Sequence, residues 1–335
     1  MSHSVSRSEV DRSDPLYGFI TGLSLTDMIG IGPVEAEPGL DNPFEAYLQE
    51  KSGERSVRSL DELARDVIPQ HLAQLRQTRR FLLNETDDLY THARRFQEKY
   101  GVSEASFLNW SKLLSGWIDF PAVLLLNPSS WGHLPADEMV EASSTLSWMR
   151  HALQQTQLTL TDVILLNMLP MVTNELLKSV EQKDRPELVQ DTFTLAIESL
   201  RYIQPRLLIS CQCSAKSDNE QWSVVDNDLG QGLCSSVAGA QLQHVHTVDI
   251  GGHTMQVVQG IHPHYVVRHR PELHQLLERL FVKVFQQFGE WKSQREASQQ
   301  ELRDRAAVVW RRVLVLVRQM RSYQQICRRA AGSGS

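Results

Sequence analysis

The pattern of apolar and polar positions divides the chain into buried runs, helical stripes and polar breaks. The sharpest run is Ala122-Val123-Leu124-Leu125-Leu126, which stops at Asn127-Pro128. Apolar residues without alternation predict a strand covered on both faces, as in a parallel sheet. Pro128 has no N–H and a fixed φ, so it cannot continue the strand. Ser129-Ser130-Trp131-Gly132 follows as a loop, then a helix over about 136–154, with Pro135 at its start and Asp137 and Glu138 in its first turn. A second buried run, Val163-Ile164-Leu165-Leu166, ends in Asn167 with Pro170 beyond it. Residues 205–211 predict a third such strand. His246–Ile250 and His253–Val258 flank Gly251-Gly252, a two-residue hairpin signal. Gly260-Ile261-His262-Pro263-His264-Tyr265 closes the second arm of that hairpin.

Helical periodicity fills the spaces between these runs. Ser59-Leu60-Asp61-Glu62 reads as a capping box, with Pro69 as an interruption downstream. Leu72, Leu75, Arg79, Leu82 and Leu83 extend a longer helix toward Phe96, with Gly101 as its stop. Further helices are expected over about 104–114, 175–180, 187–202 and 271–288. Leu302, Ala306, Val309, Val313, Leu316, Met320, Tyr323 and Cys327 repeat at a spacing of 4,3,4,3,4,3,4, a heptad seam on a helix about 39 Å long. Strands alternating with helices predict an α/β fold with a mainly parallel central sheet flanked by helices, extra N-terminal helices and a long C-terminal helix. The expected organisation is a flexible arm over 1–57, N-terminal helices over 58–115 packing on the core, and an α/β domain over 116–290. A basic amphipathic helix over 291–329 and a flexible end over 330–335 complete it.

Composition narrows the function classes. The net charge of −6 excludes a broadly basic nucleic-acid binder, yet residues 291–335 hold ten Lys/Arg against three acids, which gives +7 there and −13 elsewhere. No segment has 18 uninterrupted apolar residues, so no membrane association is expected. The N-terminal stretch has no apolar core of the secretory kind, and the four cysteines lack disulfide-framework or zinc spacing. A nuclear or otherwise intracellular location is expected. His244, His246, His253, His262, His264 and His269 are dense, but alternation on strands and loops reads as a solvated face, and no carboxylate or thiol partner has ligand spacing. Neither a metal nor another cofactor is expected.

If the strands are parallel neighbours, Asn127, Asn167 and His262 open on one sheet edge. Two carboxamides can read a planar amide edge, a neutral imidazole can donate to an oxygen that gains charge, and Trp131 offers a stacking face. Each residue also has a plainer structural reading: the asparagines as strand-end turn residues, Trp131 packed on the core, His262 as a hydrogen-bonded structural histidine.

The ordered set resembles the uracil-DNA glycosylase superfamily over roughly residues 115–290. Leu126-Asn127-Pro128-Ser129-Ser130-Trp131-Gly132 is similar to its first motif, most like the single-strand-selective and mismatch-specific branches. Leu165-Leu166-Asn167 is similar to the strand whose terminal Asn reads uracil, and His262-Pro263-His264 to the H-P-S motif of the last strand. The resemblance implies a metal-free, base-flipping DNA glycosylase acting on single- or double-stranded DNA. Asn127 would place a water near the sugar C1′, and His262 would stabilise charge on the pyrimidine O2. Trp131 would stack on the extruded base, Asn167 would pair with its edge, and Pro128 and Ser129 would line the pocket. Tyr265 and its neighbours would lie where the family inserts a wedge, with Arg268 and Arg270 near phosphates. Leu125 and Ser129 stand where the family often has Gly, and His264 replaces a phosphate-gripping Ser. A catalytically altered member binding nucleic acid or protein, with the seam over 302–327 as a homodimer or partner surface, is the alternative.

Overall fold

The computed structural model describes residues 58–212 and 228–332. The predicted arm over 1–57, part of the predicted loop insertion over 214–243, and residues 333–335 lie outside the described residues. The chain forms two compact units, Met1–Gln287 and Phe288–Ser335.

The first unit is built on a six-stranded sheet: β1 (Arg58–Ser59), β2 (Ala122–Leu125), β3 (Leu165–Asn167), β4 (Leu207–Ser210), β5 (His244–Ile250) and β6 (His253–Gln259). The strand order is β1-β5-β6-β4-β2-β3. β3, β2, β4 and β6 run parallel, while β5 and β1 are antiparallel additions at one edge. β2 to β4 are buried at every position, as their unbroken apolar runs require. Gly251 and Gly252 turn the β5–β6 hairpin with φ of +63° and +87°, a two-residue connection open to glycine and costly for other residues.

Helices follow in chain order: α1 (Ile68–Gln74), α2 (Asp88–Tyr100), α3 (Glu104–Leu114), α4 (Ala136–Ala142), α5 (Ser144–Gln155), α6 (Asn174–Ser179), α7 (Arg185–Ile203), α8 (Asp228–Leu233), α9 (Val237–Gln241), α10 (Pro263–Arg268) and α11 (His274–Gly332). Side chains of α2, α3 and α7 share one core with Leu124, Leu126, Leu166, Met168 and Leu208 of the strands. Strand alternation turns Val123, Leu125, Leu165 and Ile209 to the opposite face, where they are also buried. α5 meets α11 through Trp148 and Phe281, ring centroids 5.1 Å apart.

The structure corrects five expectations of secondary structure. Pro69 does not interrupt the first helix: the capping box at Ser59 starts it, a π-helical turn spans Leu63–Val67, and the helical run continues through Pro69 in α1, the π turn being the kind of irregularity that accommodates a proline within a helix. The predicted helix from Leu72 toward Phe96 ends at Gln74. Residues 79–81 are drawn instead onto 116–118, with Ile118 N donating to Arg79 O at 3.1 Å and Phe81 N to Gly116 O at 2.8 Å. The helix expected over 136–154 divides at Ser143, whose hydroxyl caps α5 by accepting from Leu146 N at 3.3 Å. The helices expected over 271–288 and 291–329 are one continuous α11. The predicted insertion over 214–243 contains the short helices α8 and α9.

Candidate site at the carboxyl edge of the sheet

The four parallel strands end on the same edge, so their following loops gather there. β2 is central: the chain passes first to β3 on one side and then to β4 on the other. Such a reversal opens a crevice between the two diverging connections, the usual ligand position in open α/β sheets.

Asn127 and Asn167 occupy neighbouring strand ends. Leu125 pairs with Asn167 in the parallel register, and the ladder runs on through Met168 N to Leu125 O and Leu169 N to Leu126 O, both 2.8 Å. Asn127 is half-buried. Its Nδ2 donates to Asn174 Oδ1 at 3.2 Å and reaches Val172 O at 3.5 Å. An amide whose NH2 group is held in this way keeps its oxygen as the group for a further donor. The chain reaches Val172 through Met171, a buried non-glycine residue with φ of +61°, a strained conformation of the kind that collects at functional loops. Asn167 is 4 % exposed, and its Oδ1 is buried without a hydrogen-bond partner.

Trp131 lies in the 3₁₀ turn Ser130–His133 and is 45 % exposed. The turn is fixed from α3: buried Asn109 donates through Nδ2 to Gly132 O at 2.8 Å and Leu134 O at 2.7 Å. Trp131, Ser130 and His133 face Met171, Thr173 and Leu176 across a cleft of about 470 Å³. Of the residues expected at the site, only Trp131 lines this cleft; Asn127, Pro128, Ser129, Asn167 and His262 do not. Pro128 is half-buried, as is Ser129, whose Oγ is buried and unpaired.

His262 follows β6 and precedes α10. Gly260 permits the approach of β6 to β4: a Cβ there would meet Ser210 O at 2.9 Å and Cys211 Sγ at 3.0 Å. Protein crowds the His262 imidazole, and this desolvation, with a smaller contribution from His264, pushes its pKa down to about 4. His262 is neutral at physiological pH and able to donate.

The segment expected to face DNA is mostly turned inward. Because α10 begins at Pro263, Tyr265 and Val266 are buried, which corrects Tyr265 as an outward wedge. The Tyr265 ring lies 5.9 Å from that of His269. His264 Nδ1 is 2.9 Å from Ser144 Oγ and ties α10 to α5. Arg270 pairs with Glu272. Val267 and Arg268 are exposed. Among the described residues, no group of three or more His, Cys, Asp or Glu side chains could hold a metal ion.

Sequence reasoning passed over Asn109, Asn174 and Gln212. Gln212 follows β4, is 1 % exposed, and has an unpaired buried Oε1. Its signal was available: like Asn167, it is a carboxamide at the end of a buried run.

Comparison with known protein families and with characterised proteins returns no match to this chain. The fold defines an α/β protein whose parallel strands end on one edge, with Asn127 and Asn167 at neighbouring strand ends. Among the described residues no helix is long and apolar enough to cross a membrane.

Proposed function

We propose that this chain is a DNA N-glycosylase, similar to the uracil-DNA glycosylase superfamily, that extrudes uracil or a related deaminated base and hydrolyses its N-glycosidic bond. The observation that carries the reading is the pairing of Asn127 and Asn167 on adjacent parallel strand ends, one amide anchored by its NH2 group and the other with an unpaired buried oxygen. Asn167 reads the base edge. Asn127 accepts from the attacking water, whose oxygen bonds to C1′ as the C1′–N bond breaks. The bonding electrons leave on the base, and neutral His262 donates to the oxygen that gains this charge. The water's proton ends on the departing base. From β3 to β6 the sheet spans about 14 Å at 4.8 Å per strand, a width that an Asn side chain, a pyrimidine and an imidazole fill. Extruding the base costs a few kcal/mol.

The test is release of an abasic product from single- and double-stranded uracil-containing oligonucleotides. Wild type is expected to produce it, and Asn127→Ala to slow it about tenfold or more through loss of water placement. An inactive wild-type protein would end the reading.

A second reading, docking of a protein partner or a second copy, has its own support. Leu302, Val309, Val313, Leu316, Met320 and Tyr323 are all exposed on α11, an apolar stripe beyond what a solvated helix needs. Sedimentation equilibrium is expected to give twice the monomer mass for the full chain and the monomer mass for a version ending near Glu290. Equal monomeric masses remove self-association.

A further inference from the structure

Binding of DNA needs a surface that holds phosphates, because phosphate contacts supply nearly all of a protein's sequence-independent affinity for a nucleic acid and fix its register. The segment after β6 supplies little of that surface: Tyr265 is buried and Arg270 pairs with Glu272. The positive charge lies elsewhere. From Arg305 to Ser335 the chain has seven arginines, no lysine and no acid. Arg311, Arg312, Arg318 and Arg321 stand exposed on α11. Glu301 pairs with Arg305 at 2.5 Å, but no acid lies within four positions of the other four, so none of them is neutralised along the helix. Arg311 to Arg321 spans about 15 Å at about 1.5 Å per residue, the axial length of about four phosphates on one strand. The guanidinium fork matches phosphate oxygens two at a time.

We infer that Arg311, Arg312, Arg318 and Arg321 of α11 form a binding face for the phosphate backbone of DNA. The inference rests on the function proposed above for its choice of DNA among polyanions. Outside residues 291–335 the chain carries −13, a charge that repels the same polymer, so a local arginine face is what its binding requires. An anionic membrane surface has similar charge but asks for a different helix. A helix lying in a lipid interface turns an unbroken polar face to water. Leu314 and Val315 are three and four residues after Arg311, hence on its side of the helix, and both are exposed. They interrupt such a face. Against a nucleic-acid backbone, deoxyribose carbons between the phosphates can cover them.

The experiment is fluorescence anisotropy of the full-length protein with a labelled duplex and a labelled single strand, both free of uracil, over a range of salt concentrations. In the quadruple variant Arg311→Gln, Arg312→Gln, Arg318→Gln, Arg321→Gln, the slope of log Kd against log salt is expected to flatten by about 3.6 on the duplex and about 2.8 on the single strand, and affinity in about 0.1 M salt to fall by about 10²–10³. Changing the same four residues to Lys keeps their charge and is expected to keep the slope, which separates lost charge from a damaged helix. An unchanged slope in the Gln variant, or equal flattening in the Lys variant, overturns the inference. Wild-type protein that binds phosphatidylserine vesicles but neither DNA overturns it too. The glycosylase reading fails separately. Abasic product from a wild type whose Gln variant binds DNA unchanged overturns the phosphate face alone, whereas a flattened slope without abasic product leaves that face in place and ends the glycosylase reading.

Discussion

Asp162→Ala lowers the stability of the folded protein by about 3 kcal/mol, because a buried carboxylate with four donors is lost. Asp162 is 1 % exposed. Its Oδ2 accepts from Thr159 N and Thr159 Oγ1, both at 2.8 Å. Its Oδ1 accepts from Trp117 Nε1 at 2.9 Å and Arg80 Nη2 at 3.4 Å. Arg80 is partly exposed and regains water on substitution, so its share is small. Trp117 Nε1 and Thr159 N lose their acceptor inside the protein, and those orphans set the magnitude. The substitution also loosens the approach to β3. Asp162 O accepts from Trp117 N at 3.0 Å, and Gly116 is pressed so closely on this segment that a Cβ would come within 2.4 Å of Ile164 N. The register that places Asn167 beside Leu125 therefore begins here. Denaturant unfolding measures the loss; Asp162→Asn, which keeps one acceptor, is expected to lose less. An Asp162→Ala protein within 1 kcal/mol of wild type would mean that the network contributes little.

The same segment shows what the sequence could and could not disclose. β2, β3 and β4 were legible because strands buried on both faces leave unbroken apolar runs, and Gly251-Gly252 marked the hairpin through backbone freedom alone. The break between α1 and α2 was not legible. Leu75, Leu82 and Leu83 keep helical spacing, but Arg80 is drawn out of any helix by Thr161 O at 2.7 Å and by the Trp117 ring, 4.9 Å from its guanidinium carbon. Both partners are distant in sequence, so a local pattern cannot carry them. The opposite error occurred between 289 and 301. Gly289 and the polar residues after it interrupt the apolar stripe and read as a helix end, but no proline follows to stop the helix, and α11 runs through. At the site, strand ends were visible as Asn-Pro punctuation, whereas Asn174 matters through the Asn127 amide that it faces, which only the folded loops reveal.

His262 is expected to have the largest effect at the site. Under the glycosylase function proposed above, His262→Ala should reduce base release by about 10²–10³, the usual consequence of removing one preorganised donor from a developing oxyanion. Crowding within the protein holds its pKa at about 4, against an ordinary value near 6.5. Between these values the unfolded chain takes up a proton that the folded protein refuses, so unfolding free energy rises with pH. The stability is whole above pH 6.5 and is lost as pH falls toward 4, by up to about 3 kcal/mol at 1.36 kcal/mol per pKa unit. His246 is shifted the same way by burial, so wild type carries both slopes. The difference between wild type and His262→Gln, measured by denaturant unfolding at pH 4.5 and 7, isolates the His262 share. Base release should pass through pH 6.5 without an inflection, since the imidazole is already neutral on both sides of that point. An inflection near 6.5 that vanished in His262→Gln would show an ordinary, solvated histidine, and with it a site too open to hold a neutral donor against the leaving base.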